Sequence, residues 1–174
     1  HECRRRGIRV SWTPDAVTQA VAELTMGLML CTTRYVCSLD EGIRRNQWSR
    51  RSGRGIGDSV IGLLGFGRIG SAVAGLLLSF RPKEVLIRDI VDKSPEIQAL
   101  AAKGLCIRSV SQEELIQSSH VLSLHVPLWK ETHGLLGKQE LKQMQPDAVL
   151  INTARGGIVD EDALDQALKQ QLLA

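Results

Sequence analysis

Val60-Ile61-Gly62-Leu63-Leu64-Gly65-Phe66-Gly67-Arg68-Ile69-Gly70 is the stretch that decides how this chain folds. A short aliphatic run leads straight into G-x-G-x-x-G, and a helical pattern follows over residues 68–80. Strand, tight turn and helix in that order are the context the glycine motif requires. Gly65 permits the turn, Gly67 lets the backbone approach a pyrophosphate, and Gly70 allows the helix to pack closely on the strand. The amides around Arg68 and Ile69 then point at the phosphates. Glycine-rich turns of purely structural purpose match the same six positions, so the motif needs support from elsewhere in the chain.

Asp89 supplies the first support. It lies nineteen residues beyond Gly70, at the end of a strand predicted over 85–88. A carboxylate there accepts hydrogen bonds from ribose hydroxyls and repels a 2′-phosphate. Ile90 and Val91 bring no cation to offset that repulsion, which predicts NAD rather than NADP. Strand alternation aims Arg88 at the opposite face, as an exposed strand charge.

Further strands are predicted at Val121–Leu124, at 105–107 and at 148–151, with helices near 95–103, 112–117, Lys138–Gln143 and 160–170. This alternation predicts an α/β fold, a Rossmann-type doubly wound parallel sheet that binds ligands at the strand C-terminal ends, near the switch in strand order. On the N-terminal side, residues 7–11 read as a short strand and Thr13-Pro14-Asp15 as a turn, with Asp15 as N-cap. The long helix that follows is expected to bury Val17, Ala20, Val21, Leu24, Leu28 and Cys31. Gly27 marks either the approach of another backbone or a tolerated surface glycine. Residues 38–58 read as an extended arm whose Trp48 either anchors a twin subunit or wraps over its own domain.

Two later strand ends carry chemistry. His125-Val126-Pro127 closes one strand over the expected crevice, where backbone contacts to a cofactor are expected; His125 itself reads as a hydrogen-bonded structural residue. Asn152-Thr153-Ala154-Arg155-Gly156-Gly157 closes the next. A fork-shaped cation at that place holds a carboxylate in two hydrogen bonds and polarises a neighbouring carbonyl. A salt bridge from Arg155 to the acidic helix start Asp160-Glu161-Asp162 is the competing role.

Composition narrows the classes. With 174 residues and 43% hydrophobic content, one domain with a real core is expected. Three Trp, two Phe and one Tyr leave that core to Leu, Ile, Val and Ala and give no stacking platform for nucleic acid. The net charge is +3. Its arginine clusters, Arg4, Arg5, Arg6 and then Arg44, Arg45, Arg50, Arg51, Arg54, read as solvated charges or partner contacts rather than as a nucleic-acid arm. Cys3, Cys31, Cys37 and Cys106 show no metal spacing, and the histidines none either, so no metal is expected. Inert thiols point to a reducing, cytoplasmic compartment. The apolar stretch 60–80 is no membrane span, because of its glycines and of Arg68, whose insertion would cost roughly 3 kcal/mol.

Taken together, Gly65 to Gly70, Asp89, the segment Ser123-Leu124-His125-Val126-Pro127-Leu128 with Glu131-Thr132, and Ile151 through Glu161 closely resemble the D-isomer-specific 2-hydroxyacid dehydrogenase family. Val21-Ala22-Glu23-Leu24-Thr25 belongs to the same pattern. The segment 79–84 departs from it, being longer and more polar than the usual link into the second strand. The resemblance implies an NAD-binding domain over residues 13–174, incomplete at its C-terminal end and lacking its last strands, with residues 1–12 as the end of a substrate domain and hinge. It implies hydride transfer between nicotinamide and a small 2-hydroxy or 2-keto acid. It also implies cofactor contacts from Gly65, Gly67, Arg68, Ile69, Gly70, Asp89, His125, Val126, Pro127, Thr132, Thr153, Ala154 and Arg155. Arg155 matches the catalytic arginine that binds the substrate. The family's glutamate and histidine fall beyond residue 174, so this stretch alone is expected to be inactive. A homodimer is implied; the alternative is an NAD-responsive corepressor-like module on the same fold.

Overall fold

The computed structural model describes residues 2–13, 15–170, 172 and 173. Among the described residues, five parallel strands form one sheet: β1 (Val60–Leu64), β2 (Glu84–Arg88), β3 (Ile107–Ser109), β4 (Val121–Leu124) and β5 (Val149–Asn152), in the order β3-β2-β1-β4-β5. The helices are α1 (Glu2–Arg5), α2 (Thr18–Thr33), α3 (Val36–Arg44), α4 (Arg68–Leu77), α5 (Ser94–Ala101), α6 (Gln112–Ser118), α7 (Lys138–Gln143) and α8 (Glu161–Lys169).

The central strands β1, β2 and β4 are buried on both sides, and strand alternation splits the core in two. Ile61, Leu63, Val85, Ile87, Val121 and Ile151 pack against α2 and α4 through Ala22, Met26, Met29, Val73, Ala74 and Leu77. Leu64, Leu86, Leu122 and Leu124 face the other way, onto Leu115, Ile116, Leu141, Ala163 and Ala167 of α6, α7 and α8. The chain therefore changes face between β3 and β4. At that point β1 has neighbours leading away in opposite directions, and a crevice opens between β1 and β4 at their C-terminal ends. The doubly wound sheet predicted from the sequence is present.

Several local expectations differ from what is found. Residues 7–11 form no strand; Ile8, Val10 and Trp12 are exposed, and an extended segment without a pairing edge gains no ladder. Pro14 of the expected turn lies outside the described residues. The long helix begins at Thr18, with Val17 rather than Asp15 at its N-cap, and Asp15 pairs instead with Arg68 at 3.3 Å. This helix also presents a different face to the core. It buries Ala22, Thr25, Met26, Met29 and Thr33, whereas Leu24 and Leu28 of the expected stripe remain 55% and 37% exposed. Nothing approaches Gly27 within 4 Å, which fits the surface reading.

The arm contains α3, held by ion pairs one turn apart between Asp40 and Arg44 and between Glu41 and Arg45. Charges that look like loop in the sequence are the solvent face of a helix that buries nothing. Trp48 is 80% exposed, so it does not wrap over its own domain. Strand β3 begins two residues later than predicted, because the Leu105 amide still closes the turn after α5 on Leu100.

Candidate functional site

The glycine loop is shaped by what stands around it. Gly65 has φ +95°, a left-handed value that disfavours a side chain, and a Cβ there would meet the His125 carbonyl at 2.7 Å. A Cβ on Gly70 would lie 2.3 Å from the Gly65 carbonyl, so α4 can sit this close only as glycine. Gly67 is the opposite case, with nothing within 4 Å of its Cβ position. It is also the N-cap of α4 and offers no side-chain cap, which leaves the first-turn amides and the positive end of the helix dipole facing open room. Such a cradle fits a pyrophosphate. Phe66 is fully buried and pins the loop from below.

Asp89 follows directly on β2, whose register places Arg88 beside Leu64 despite the longer link at 79–84. Its carboxylate accepts from Phe66 N at 2.6 Å and from Val91 N at 2.9 Å. Each oxygen keeps a lone pair for a ribose hydroxyl. Arg88 corrects an expectation, because its long side chain folds back to the crevice side and Nη1 donates to the Asp89 carbonyl at 2.9 Å. Arg88 and Lys93 both line the crevice. The case for NAD therefore stands on the Asp89 carboxylate and not on a lack of cations.

The crevice has a volume of about 810 Å³, ample for a nucleotide. Of the expected cofactor residues it brings together Gly65, Gly67, Asp89, His125, Val126, Pro127 and Thr132. Arg68 and Ile69 stand on an adjoining cleft that shares Gly67 and His125, and Gly70 lies beneath the loop. The Thr132 hydroxyl is used within its own loop, donating to the Pro127 carbonyl at 2.6 Å and accepting from Trp129 N at 2.7 Å. It thereby holds up a wall that includes Trp129. Burial pushes the His125 imidazole down to about 4, and its Nε2 lies 3.0 Å from the buried Ser123 hydroxyl. The ring is neutral near pH 7 and structural, as its position at a strand end suggests.

Trp129, Gln112, Leu135, Lys93 and Arg88 line the crevice and were not among the expected residues. Trp129 and Leu135 flank a recognised segment, and proximity to Pro127 was the available signal. Gln112 carries none, since the fold alone brings it there.

Thr153, Ala154 and Arg155 lie one strand further on, past β5, and are not on the wall of that crevice. Asn152 builds the turn, with Nδ2 donating to the Arg155 carbonyl at 2.8 Å and Oδ1 accepting from Ala154 N at 3.0 Å. Arg155 is exposed and curls onto the Ala154 carbonyl at 2.7 Å. Among the described residues it forms no ion pair with the start of α8. Asp160 there caps the helix instead, accepting from Ala163 N at 3.0 Å.

Residues 26–174 match the family described as D-isomer specific 2-hydroxyacid dehydrogenase, NAD binding domain. A glyoxylate reductase of Thermofilum pendens is 39% identical over 99% of this chain and 51% of its own length. A D-3-phosphoglycerate dehydrogenase of Methanocaldococcus jannaschii is 34% identical over 95% of this chain and 31% of its own. Among solved structures, D-lactate dehydrogenase of Aquifex aeolicus complexed with NAD and lactic acid superposes with a TM-score of 0.86 at 34% identity, covering 99% of this chain and 50% of that one. The NAD+ complex of the Lactobacillus jensenii D-lactate dehydrogenase gives 0.87 at 26%, covering 99% and 51%. The chain spans about half the length of most of these relatives.

Proposed function

This chain belongs to the D-isomer-specific 2-hydroxyacid dehydrogenase family as its NAD-binding domain, and from that premise we propose that it serves an oxidoreductase acting on a small 2-hydroxy or 2-keto acid, glyoxylate being the first candidate. The observation that carries this reading is the pairing of an open, uncapped Gly67 cradle with an Asp89 carboxylate already aimed by Phe66 N. The cradle takes the pyrophosphate and Asp89 the adenosine ribose. At the usual strand spacing β5 lies about 14 Å from β2, so the residues that follow β5 would be the ones to meet the far end of a bound cofactor. When bound, the nicotinamide supplies or accepts the hydride. Arg155 holds the substrate carboxylate in two parallel hydrogen bonds and leans its charge on the 2-oxygen. His125, whose pKa burial lowers and whose Nε2 lies 3.0 Å from the Ser123 hydroxyl, is given a structural role in this reading.

The same chain forms a homodimer in this reading. Leu24, Leu28, Tyr35, Val36, Ile43 and Trp48 are exposed along α2, α3 and the following arm and supply the apolar side chains that a second subunit would cover. Residues 2–12 go with a substrate-binding part, since α1 buries nothing and Ile8, Val10 and Trp12 remain uncovered. A reducing, cytoplasmic setting is supported by the four free thiols. Among the described residues no helix is long and apolar enough to cross a membrane.

Calorimetry with NAD and NADH tests the core of the proposal. Binding in the micromolar range that weakens on Asp89→Ala supports it, and silence with both cofactors refutes it. Assays with glyoxylate, pyruvate and hydroxypyruvate follow. Reduction of at least one of these keto acids by the protein as it occurs supports the reading, and no turnover with any of them counts against it. NAD-driven assembly without turnover would favour the corepressor alternative. Sedimentation of Leu24→Glu/Leu28→Glu should give a monomer where the parent chain gives a dimer.

A further inference from the structure

We propose that Thr25, buried within α2, is a positioning residue for bound NAD, because its hydroxyl fixes the direction of the Thr153 hydroxyl at the end of β5. The proposal rests on the reading that the nicotinamide end of the cofactor lies over β5. Thr25 Oγ1 is 2.8 Å from the Val21 carbonyl and 3.0 Å from Thr153 Oγ1. A hydroxyl has one proton, and a carbonyl can only accept. The Thr25 proton is therefore committed to Val21, and the Thr153 hydroxyl must donate to Thr25. Thr153 is left with lone pairs only, so whatever it meets beyond the loop must be an N–H or O–H donor. A carboxamide amine or a ribose hydroxyl qualifies; a carbonyl does not.

Back-bonding to a helix carbonyl does not require such a link. Thr33, also buried on α2, donates to the Met29 carbonyl at 2.7 Å and is satisfied within its own helix. Thr25 reaches 128 positions along the chain to the loop that carries Arg155. Among the described residues, the loop's other side-chain hydrogen bonds run within residues 152–155, and its further tie to the fold is a backbone one, the Gly157 carbonyl accepting from Gly134 N at 2.8 Å. Among the described residues, the Thr25–Thr153 pair is the side-chain hydrogen bond that joins the start of this loop to α2.

The test compares Thr25→Val, which keeps the shape and removes the hydroxyl, with Thr25→Ser and with Thr33→Val as control. Dissociation constants are measured calorimetrically for NAD and for ADP-ribose, which lacks the nicotinamide, and amide exchange is followed over residues 153–157 without ligand. Thr25→Val should weaken NAD by about 3- to 10-fold, the worth of one hydrogen bond, and leave ADP-ribose within about twofold. Exchange at Ala154 and Gly156 should quicken. Thr25→Ser and Thr33→Val should match the parent. Equal losses for both ligands, or none for either, would overturn the proposal. Should Thr25→Val fail to fold, Thr153→Val must give the same split between ligands, and its absence counts against the proposal equally. If the parent chain binds no NAD, the functional reading fails, and unchanged exchange in the ligand-free variants would separately remove the Thr25 link.

Discussion

At the β1–β2 side of the crevice the Phe66 amide, the Asp89 carboxylate and the Val91 amide are joined before any ligand arrives, with Phe66 buried beneath them; past β5, off the crevice wall, Arg155 stands in solvent, resting on its own neighbour's carbonyl. The first end is preorganised and the second is only tethered. Ordering a side chain at binding costs about 0.5–1.5 kcal/mol, so affinity should come from the adenosine end and selectivity for the reacting group from the other. In the proposed reading, a site built in this way would hold its cofactor firmly and leave Arg155 free to adjust to the substrate.

Four outcomes would break or sharpen that contrast. Phe66→Ala should have the largest effect, a loss of about 3–5 kcal/mol of stability in urea denaturation, because it empties the packing beneath the rigid end. A loss under about 1 kcal/mol would mean the loop is not held from below. Next comes pH. His125 titrates near 4 when folded against 6.5 as the free group, so the unfolded chain binds the extra proton between those values. Its contribution is complete above pH 6.5 and disappears as pH falls towards 4, roughly 3 kcal/mol in all. His125→Asn should flatten that slope in denaturation midpoints measured from pH 4 to 7.

Asp89→Ala removes a charged acceptor from two amides and from the ribose, and should weaken NAD by roughly 10- to 100-fold by calorimetry. If Arg88 and Lys93 then attract the 2′-phosphate, NADP should lose less than NAD. Arg155→Ala should be the smallest, within about 0.5 kcal/mol of parent stability in thermal melts and within about twofold in NAD affinity, as befits an exposed side chain at the tethered end. A large loss of either would erase the distinction between the two ends.

The elements with strong local signals were legible in the sequence. The strand, glycine turn and helix around Gly65 are where the pattern puts them, and Lys138–Gln143 matches α7 residue for residue. Helix α2 was legible as a helix but not in its orientation. It carries two apolar stripes, and the buried one includes Thr25 and Thr33, whose hydroxyls are satisfied by back-bonds that periodicity does not reveal. Helix α3 was hidden because ion pairs rather than apolar repeats hold it. In the site, Gly65, Gly67 and Asp89 could be read because a motif fixes their spacing. Arg88 was misplaced by strand alternation, which predicts the direction of Cβ and not where a flexible guanidinium ends. Gln112 could not be read at all, since only the crossing of α6 to the other face brings it to the crevice.

Leu24 and Thr25 are covalent neighbours on α2, one turned to water and the other to the interior. Inherited changes at these two positions should therefore be filtered by different demands: the inward residue by whether the domain holds its shape, the outward one only by whatever covers it. A lineage in which Leu24 and Leu28 drift to polar residues while Thr25 persists would have kept the fold and altered only its outer face.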